Sequence, residues 1–204
     1  MYLNMSQWIR PPGPVADRLR VGLLGGSFNP AHRGHLHISK SALKALGLDY
    51  VWWLVSPQNP LKSIKDMTSL AQRLSAAREM TKHPRITVTN IEDQLGTLYT
   101  ADTLALLLQR FPTVHFIWLM GSDNLVQIPG WRDWQDIFMM MPVAVVARPG
   151  TVLKARRGPA AQKFAGARVS ADKSFANRLP PAWTIIETQH DTTSATQIRS
   201  DRQP

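Results

Sequence analysis

The chain has 204 residues, 44% of them hydrophobic and none of them cysteine, and its 24 Lys and Arg outweigh 14 Asp and Glu for a formal net charge of +10. That length suits one α/β domain with a sizeable core, and no apolar run is long enough for a membrane span. The missing cysteines exclude a disulfide framework, a thiolate nucleophile and a cysteine metal site, and a reducing cytoplasm is the expected compartment.

Residues 1–19, "MYLNMSQWIRPPGPVADRL", lack the long apolar stretch of a secretory signal. They read as a loosely packed, proline-broken extension ahead of a single domain over residues 20–204. "RVGLLG" (20–25) has the unbroken apolar character of a buried strand. A helix is expected over about 33–47, with Leu36, Ser39, Leu43 and Leu46 on one face. "YVWWLV" (50–55) is a second strand, and a loop with Pro57 and Pro60 leads to a helix near 68–82. "RITVT" (85–89), "TVHFIWLMG" (113–121), "VAVVAR" (143–148) and "WTIIE" (183–187) are strands, and "TADTLALLLQR" (100–110) is a helix. A short helix near 194–201 closes the chain, while the Ala-, Arg- and Pro-rich region 151–182 has no clear period. Apolar strands spaced by helices predict a doubly wound, Rossmann-like parallel sheet with helices on both faces.

Charge is concentrated late in the chain. From Arg148 to Arg178 eight basic residues face only Asp172. Such a surface suits nucleic acid, an acidic membrane or small phosphorylated molecules, and equally suits a plain solvated helix face. No RNA-binding signature accompanies it, so nucleic acid is not the expected partner.

The chemistry points to "LLGGSFNPAHRGHLHIS" (23–39), at the carboxyl end of the first strand. In open α/β sheets ligands bind there. Gly25 and Gly26 allow backbone N–H groups close to a phosphate, and the following helix N-terminus adds positive potential. It is neither a Walker A loop nor a G-x-G-x-x-G dinucleotide fingerprint. His32 and His35 share a face of a helical first turn. Phosphate contact, metal ligation and a structural role all remain open for the pair, whereas His37 falls on the other side and suits packing or surface. Near the C-terminus, Ser194, Thr196 and Arg199 in "TSATQIRS" read either as helix N-caps with a structural arginine or as a second phosphate cradle.

Gly25, Gly26, Phe28, Pro30, His32, Gly34 and His35 resemble the G-G-x-F-x-P-x-H-x-G-H signature of the nucleotidylyltransferase superfamily, and Ser194, Thr196 and Arg199 resemble its S-x-T-x-x-R. "GTLYTADTL" (96–104), "GSDNLVQIPGW" (121–131) and "ARPG" (147–150) are similar to segments of bacterial nicotinate mononucleotide adenylyltransferases. The resemblance covers about residues 20–200. Ser27 and Asn29 stand where Thr and Asp are common. In "NPLK" (59–62) Leu61 replaces the family's histidine, so only Lys62 carries over.

The resemblance implies adenylyl transfer from ATP to nicotinate mononucleotide. Nicotinamide mononucleotide or phosphopantetheine would be the alternative acceptor, and a non-catalytic, basic nucleic-acid-binding domain the alternative outside enzymes. It implies catalytic roles for His32, His35 and Arg199. ATP would meet Gly25, Gly26, Ser27, Phe28, Lys62, Gly121, Asp123, Arg148, Ser194 and Thr196. The mononucleotide would meet Tyr99, Thr100, Asp102 and Trp131, with Trp131 stacked on the base. Asp102 reads equally as an acid favoured by a helix start. Asp123, ending a strand, suits ribose hydroxyls or a metal-bound water. Mg²⁺ is expected to arrive with ATP, held through phosphate and water, with no protein metal site.

Overall fold

The computed structural model describes residues 11–57 and 67–187. The strands are β1 (Arg20–Gly26), β2 (Tyr50–Val55), β3 (Ile86–Thr89), β4 (His115–Gly121), β5 (Val143–Val146) and β6 (Trp183–Ile186). They form one parallel sheet in the order β3-β2-β1-β4-β5-β6. The expected doubly wound architecture is therefore present, and its strand order reverses between β1 and β4.

Side chains alternate between two apolar layers, as a strand period of two requires. On one face Val21, Leu23, Trp52, Leu54, Phe116, Trp118 and Met120 pack with Leu104 and Leu107 of α4 (Thr100–Arg110) and Ile137 and Phe138 of α6 (Trp134–Met140). On the other, Leu24, Val51, Trp53, Val55, Ile117 and Leu119 meet Ile38, Ala42 and Leu43 of α1 (Arg33–Ala45), and Leu74 and Ala77 of α2 (Leu70–Met80). Both faces are covered, which explains why the central strands read as unbroken apolar runs.

Boundaries differ from the sequence expectation for local reasons. α1 stops at Ala45 because Gly47 takes φ +60°, the left-handed position that closes a helix. β5 ends at Val146, so Arg148 lies in the turn beyond it rather than in the strand. The sequence pattern does not announce the helices α3 (Ile91–Leu95), α5 (Ser122–Gln127), α6, α7 (Val152–Arg157) and α8 (Pro159–Lys163). None exceeds two turns, too short for a 3.6-residue period to declare itself. Of the N-terminal extension, residues 11–19 are described, and the Arg18 N–H donates to the Thr113 carbonyl at 2.8 Å. The helix expected near 194–201 lies outside the described residues.

Candidate active site

The carboxyl ends of β1 and β4 are adjacent at the point where strand order reverses, and candidate residues gather around both. Beyond Gly26 the chain turns at Ser27 and Phe28, and Phe28 takes φ +47°. A bulky residue holds that conformation only where its surroundings enforce it. Here the buried Phe28 ring stacks on Trp53 at 5.1 Å and lies 4.5 Å from the His35 ring.

α1 begins directly after this turn. His32 is its N-cap, and Nδ1 of His32 accepts the Gly34 N–H at 3.1 Å. His35 sits three residues on, and its Nδ1 accepts the His32 N–H at 3.2 Å. This is a reciprocal capping box built from two imidazoles, with ring centroids 3.9 Å apart. Because each Nδ1 is an acceptor, each neutral ring carries its proton on Nε2. The backbone thus selects, in both rings, the tautomer with an Nε2–H donor, and does so at a helix N-terminus where anions are favoured. The first turn is braced from β2. Ser39 Oγ donates to the His35 carbonyl at 2.9 Å and accepts from Trp53 Nε1 at 2.7 Å.

Across the switch point, Gly121 ends β4 and Arg148 follows β5. A Cβ at Gly121 would fall 2.3 Å from Asp123 Oδ1 and 2.9 Å from Arg148 Nε, so only glycine admits this pair. Arg148 Nη1 donates to Asp123 Oδ2 at 3.0 Å. The Arg148 N–H donates to Ser122 Oγ at 2.9 Å, and that hydroxyl is 2.6 Å from Thr151 Oγ1. Asp123 Oδ1 is buried without a hydrogen-bond partner. A lone carboxylate acceptor at the ligand edge of a sheet matches a hydroxyl donor or a water on a metal ion. Among the described residues no three His, Asp or Glu side chains converge.

A third group lies at the start of α4. Tyr99 is its N-cap residue, and Thr100 and Asp102 are in its first turn. Trp131 follows the short 3₁₀ turn Ile128–Gly130 and meets Trp118 edge-on at 6.5 Å. Arg132 ties the two segments together. Its guanidinium lies 4.4 Å over the Tyr99 ring, 3.8 Å from Asp102 Oδ2 and 3.1 Å from Asp133 Oδ2.

Residues 23–201 match the family model described as cytidylyltransferase-like. The chain belongs to that family. Among its relatives is a probable nicotinate-nucleotide adenylyltransferase of Parvibaculum lavamentivorans, 54% identical over 185 residues, covering 89% of this chain and 91% of that protein. Another of the same name, from Cereibacter sphaeroides, is 53% identical and covers 88% of this chain and 96% of its own. These identities place the chain in the nicotinate-nucleotide adenylyltransferase branch of the cytidylyltransferase-like family. The fold agrees with that of a Plasmodium falciparum nicotinic acid mononucleotide adenylyltransferase complexed with NaAD, at TM-score 0.65 and 16% identity, covering 88% of this chain and 82% of the other.

In this cytidylyltransferase-like chain the structure gathers Gly26, Ser27, Phe28, His32 and His35 beside β1. It gathers Gly121, Asp123 and Arg148 beyond β4 and β5, and Tyr99, Thr100, Asp102 and Trp131 around α4. Lys62, Ser194, Thr196 and Arg199 lie outside the described residues. Gly25 has a packing reason of its own, since a Cβ there would fall 2.4 Å from Cη2 of Trp118. Arg132 and Arg73 were not singled out from sequence. Arg73 carried a signal, because Leu70, Arg73, Leu74 and Ala77 follow the spacing of a buried helix face.

Proposed function

We propose that this chain transfers the adenylyl group of ATP to nicotinate mononucleotide, giving nicotinate adenine dinucleotide and pyrophosphate, a step of NAD biosynthesis. The observation that carries the mechanism is the imidazole capping box at the switch point. The naming of relatives above 50% identity supports the substrates.

The nucleophile is a phosphate oxygen of the mononucleotide. It attacks the α-phosphorus of ATP, a new P–O bond forms, and the bond to the β-phosphate breaks with its electron pair leaving on pyrophosphate. That oxygen is already ionised, so no general base is needed, and catalysis is positioning and charge stabilisation. We assign His32 and His35 as Nε2–H donors to α- and β-phosphate oxygens, in the manner of preorganised oxyanion donors. Backbone groups of the turn at Gly26, Ser27 and Phe28 complete that wall, and Gly25 supports it by leaving room for the Trp118 ring. Lys62, Ser194 and Thr196 hold the triphosphate, and Arg199 neutralises the departing pyrophosphate. Asp123, with Gly121 and Arg148, faces the adenosine side. Tyr99, Thr100, Asp102 and Trp131 form the mononucleotide pocket, with stacking on Trp131. Nucleotidyltransferases generally take ATP with Mg²⁺, which would neutralise phosphate charge when bound; the unpartnered Asp123 oxygen could accept from a water on such an ion. One catalytic domain over residues 20–204, in the cytoplasm where ATP is supplied, accords with the reading. Among the described residues no helix is long and apolar enough to cross a membrane.

The test is pyrophosphate release from ATP with each acceptor. Nicotinate mononucleotide is expected to exceed nicotinamide mononucleotide by about 10-fold or more in kcat/KM, about 1.4 kcal/mol, and phosphopantetheine to be inert. Equal use of the two mononucleotides would leave the transfer chemistry and remove the acceptor. Absence of pyrophosphate with every acceptor would remove both.

A further inference from the structure

We propose that Arg73 of α2 is a positioning residue for the phosphate site, fixing the turn between β1 and α1. The inference rests on the reading of that turn as a phosphate wall. Arg73 is 2% exposed. Its Nη1 donates to the Ser27 carbonyl at 2.7 Å and to the Ser56 carbonyl at 2.6 Å. Nη2 donates to the Pro57 carbonyl at 2.9 Å, and Nε to the Thr68 carbonyl at 3.0 Å. One planar cation therefore joins the exit of β1, the exit of β2 and the entry to α2. Among the described residues no carboxylate pairs with it. Four carbonyl dipoles compensate the buried charge instead, which a fork of five donors does and a single ammonium does not.

A fold-stapling role alone would not require the Ser27 contact. The Ser27 carbonyl and the Phe28 N–H belong to one planar peptide and point in opposite directions. Pinning the carbonyl on Arg73 therefore aims the Phe28 N–H away from Arg73 and sets the left-handed Phe28 whose ring seats His35. A second clamp acts one residue back, where the Ser56 N–H donates to the Gly26 carbonyl at 3.0 Å. Ser56 thus gives its N–H to the phosphate turn and its carbonyl to Arg73. Without the guanidinium fork, the turn loses the hold on both its peptide plane and its strained residue, while the α4–Trp131 region keeps all its contacts.

The experiment compares Arg73→Lys and Arg73→Met with the wild type by melting temperature, ATP titration calorimetry and steady-state kinetics in both substrates. A folded Arg73→Lys is expected to lose kcat by about 10-fold or more and to bind ATP about 10-fold more weakly, the scale of a misplaced reacting group. Its KM for nicotinate mononucleotide is expected to stay within about 2-fold. Arg73→Met is expected to lose more on the same two measures. Wild-type kcat and ATP affinity in Arg73→Lys would overturn the proposal. So would parallel weakening of both substrates, or failure of both variants to fold, since either makes Arg73 a residue of the fold and not of the site. A wild type that does not bind ATP at all would sink the phosphate reading itself, a result distinct from any of these.

Discussion

The indole of Trp118 occupies the space that a side chain at Gly25 would need, 2.4 Å from its ideal Cβ position, and the same indole meets Trp131 edge-on. The two neighbouring glycines therefore do different work. At Gly26 an added Cβ would find its nearest atoms in the Phe28 ring at 3.6 Å, an ordinary contact. Gly25→Ala is expected to destabilise by about 1–3 kcal/mol, the cost of overpacking a rigid core ring, and to raise the KM for mononucleotide by displacing Trp131. Gly26→Ala is expected to melt near the wild type yet lose activity if backbone approach to phosphate is its role. Thermal melts beside kinetics in each substrate separate the two.

His32 and His35 combine capping with donation, so alanine variants confound stability with chemistry. Asn at an N-cap and Gln three residues later both support a capping box. His35→Gln and His32→Asn are therefore expected to retain melting temperature to within a few degrees while kcat falls by about 10²-fold or more. His35→Ala is expected to lose about 1 kcal/mol of stability in addition. Near-normal kcat in His35→Gln would remove the imidazole from the mechanism.

Glu92 of α3 is buried, and that burial pushes its carboxyl up to about 7 against an opposing hydrogen bond from Ser56. The folded protein therefore holds this proton where the unfolded chain, near 4.5, has lost it. The stabilising contribution is complete below the unfolded value and declines as pH rises from about 4.5 through 7, by about 3 kcal/mol in all. Glu92→Gln is expected to flatten this part of the stability curve and to raise the melting temperature at pH 8. Identical pH slopes for the two proteins between pH 5 and 7 would refute the assignment.

Arg132 is half exposed and bridges Tyr99 and Asp102 to the Trp131 loop. Its removal costs solvent-screened contacts, so Arg132→Ala is expected to melt like the wild type. The pocket wall it ties together would loosen, raising the KM for mononucleotide by about 3- to 10-fold and leaving the KM for ATP unchanged. An ATP effect of equal size would place Arg132 elsewhere in the mechanism.

The sheet was legible because β1, β2 and β4 are buried on both faces, and their apolar runs sit between helices long enough to show a period. The histidine pair was legible as a motif, but not as a cap, since a capping box is ordinarily recognised by Ser or Thr with Glu or Gln. Gly121 was legible only as part of a motif; the Asp123–Arg148 pair that demands glycine there joins residues 25 apart in sequence. Arg73 was hidden for a different reason. A cation on a buried helix face looks like a break in the pattern until its four carbonyl partners, from three separate segments, are seen together. The helices from α5 to α8 are held by burying Leu125, Ile137, Phe138, Ala155 and Ala160 in one shared core rather than by any period of their own.

The imidazole capping box also constrains how this chain can decay. In most enzymes a catalytic side chain can drift away once selection relaxes, because the fold does not depend on it. Here the start signal of α1 and the proposed phosphate donors are the same two side chains, so a replacement at residue 32 or 35 that cannot cap costs about 1 kcal/mol at a helix that covers the central strands. Residues that also cap avoid that cost and are the ones favoured. A copy of this chain that abandoned the chemistry but kept its shape would carry Asn, Ser, Thr or Asp at position 32 and Gln or Glu at position 35, and such a pair would mark a retired enzyme by its sequence alone.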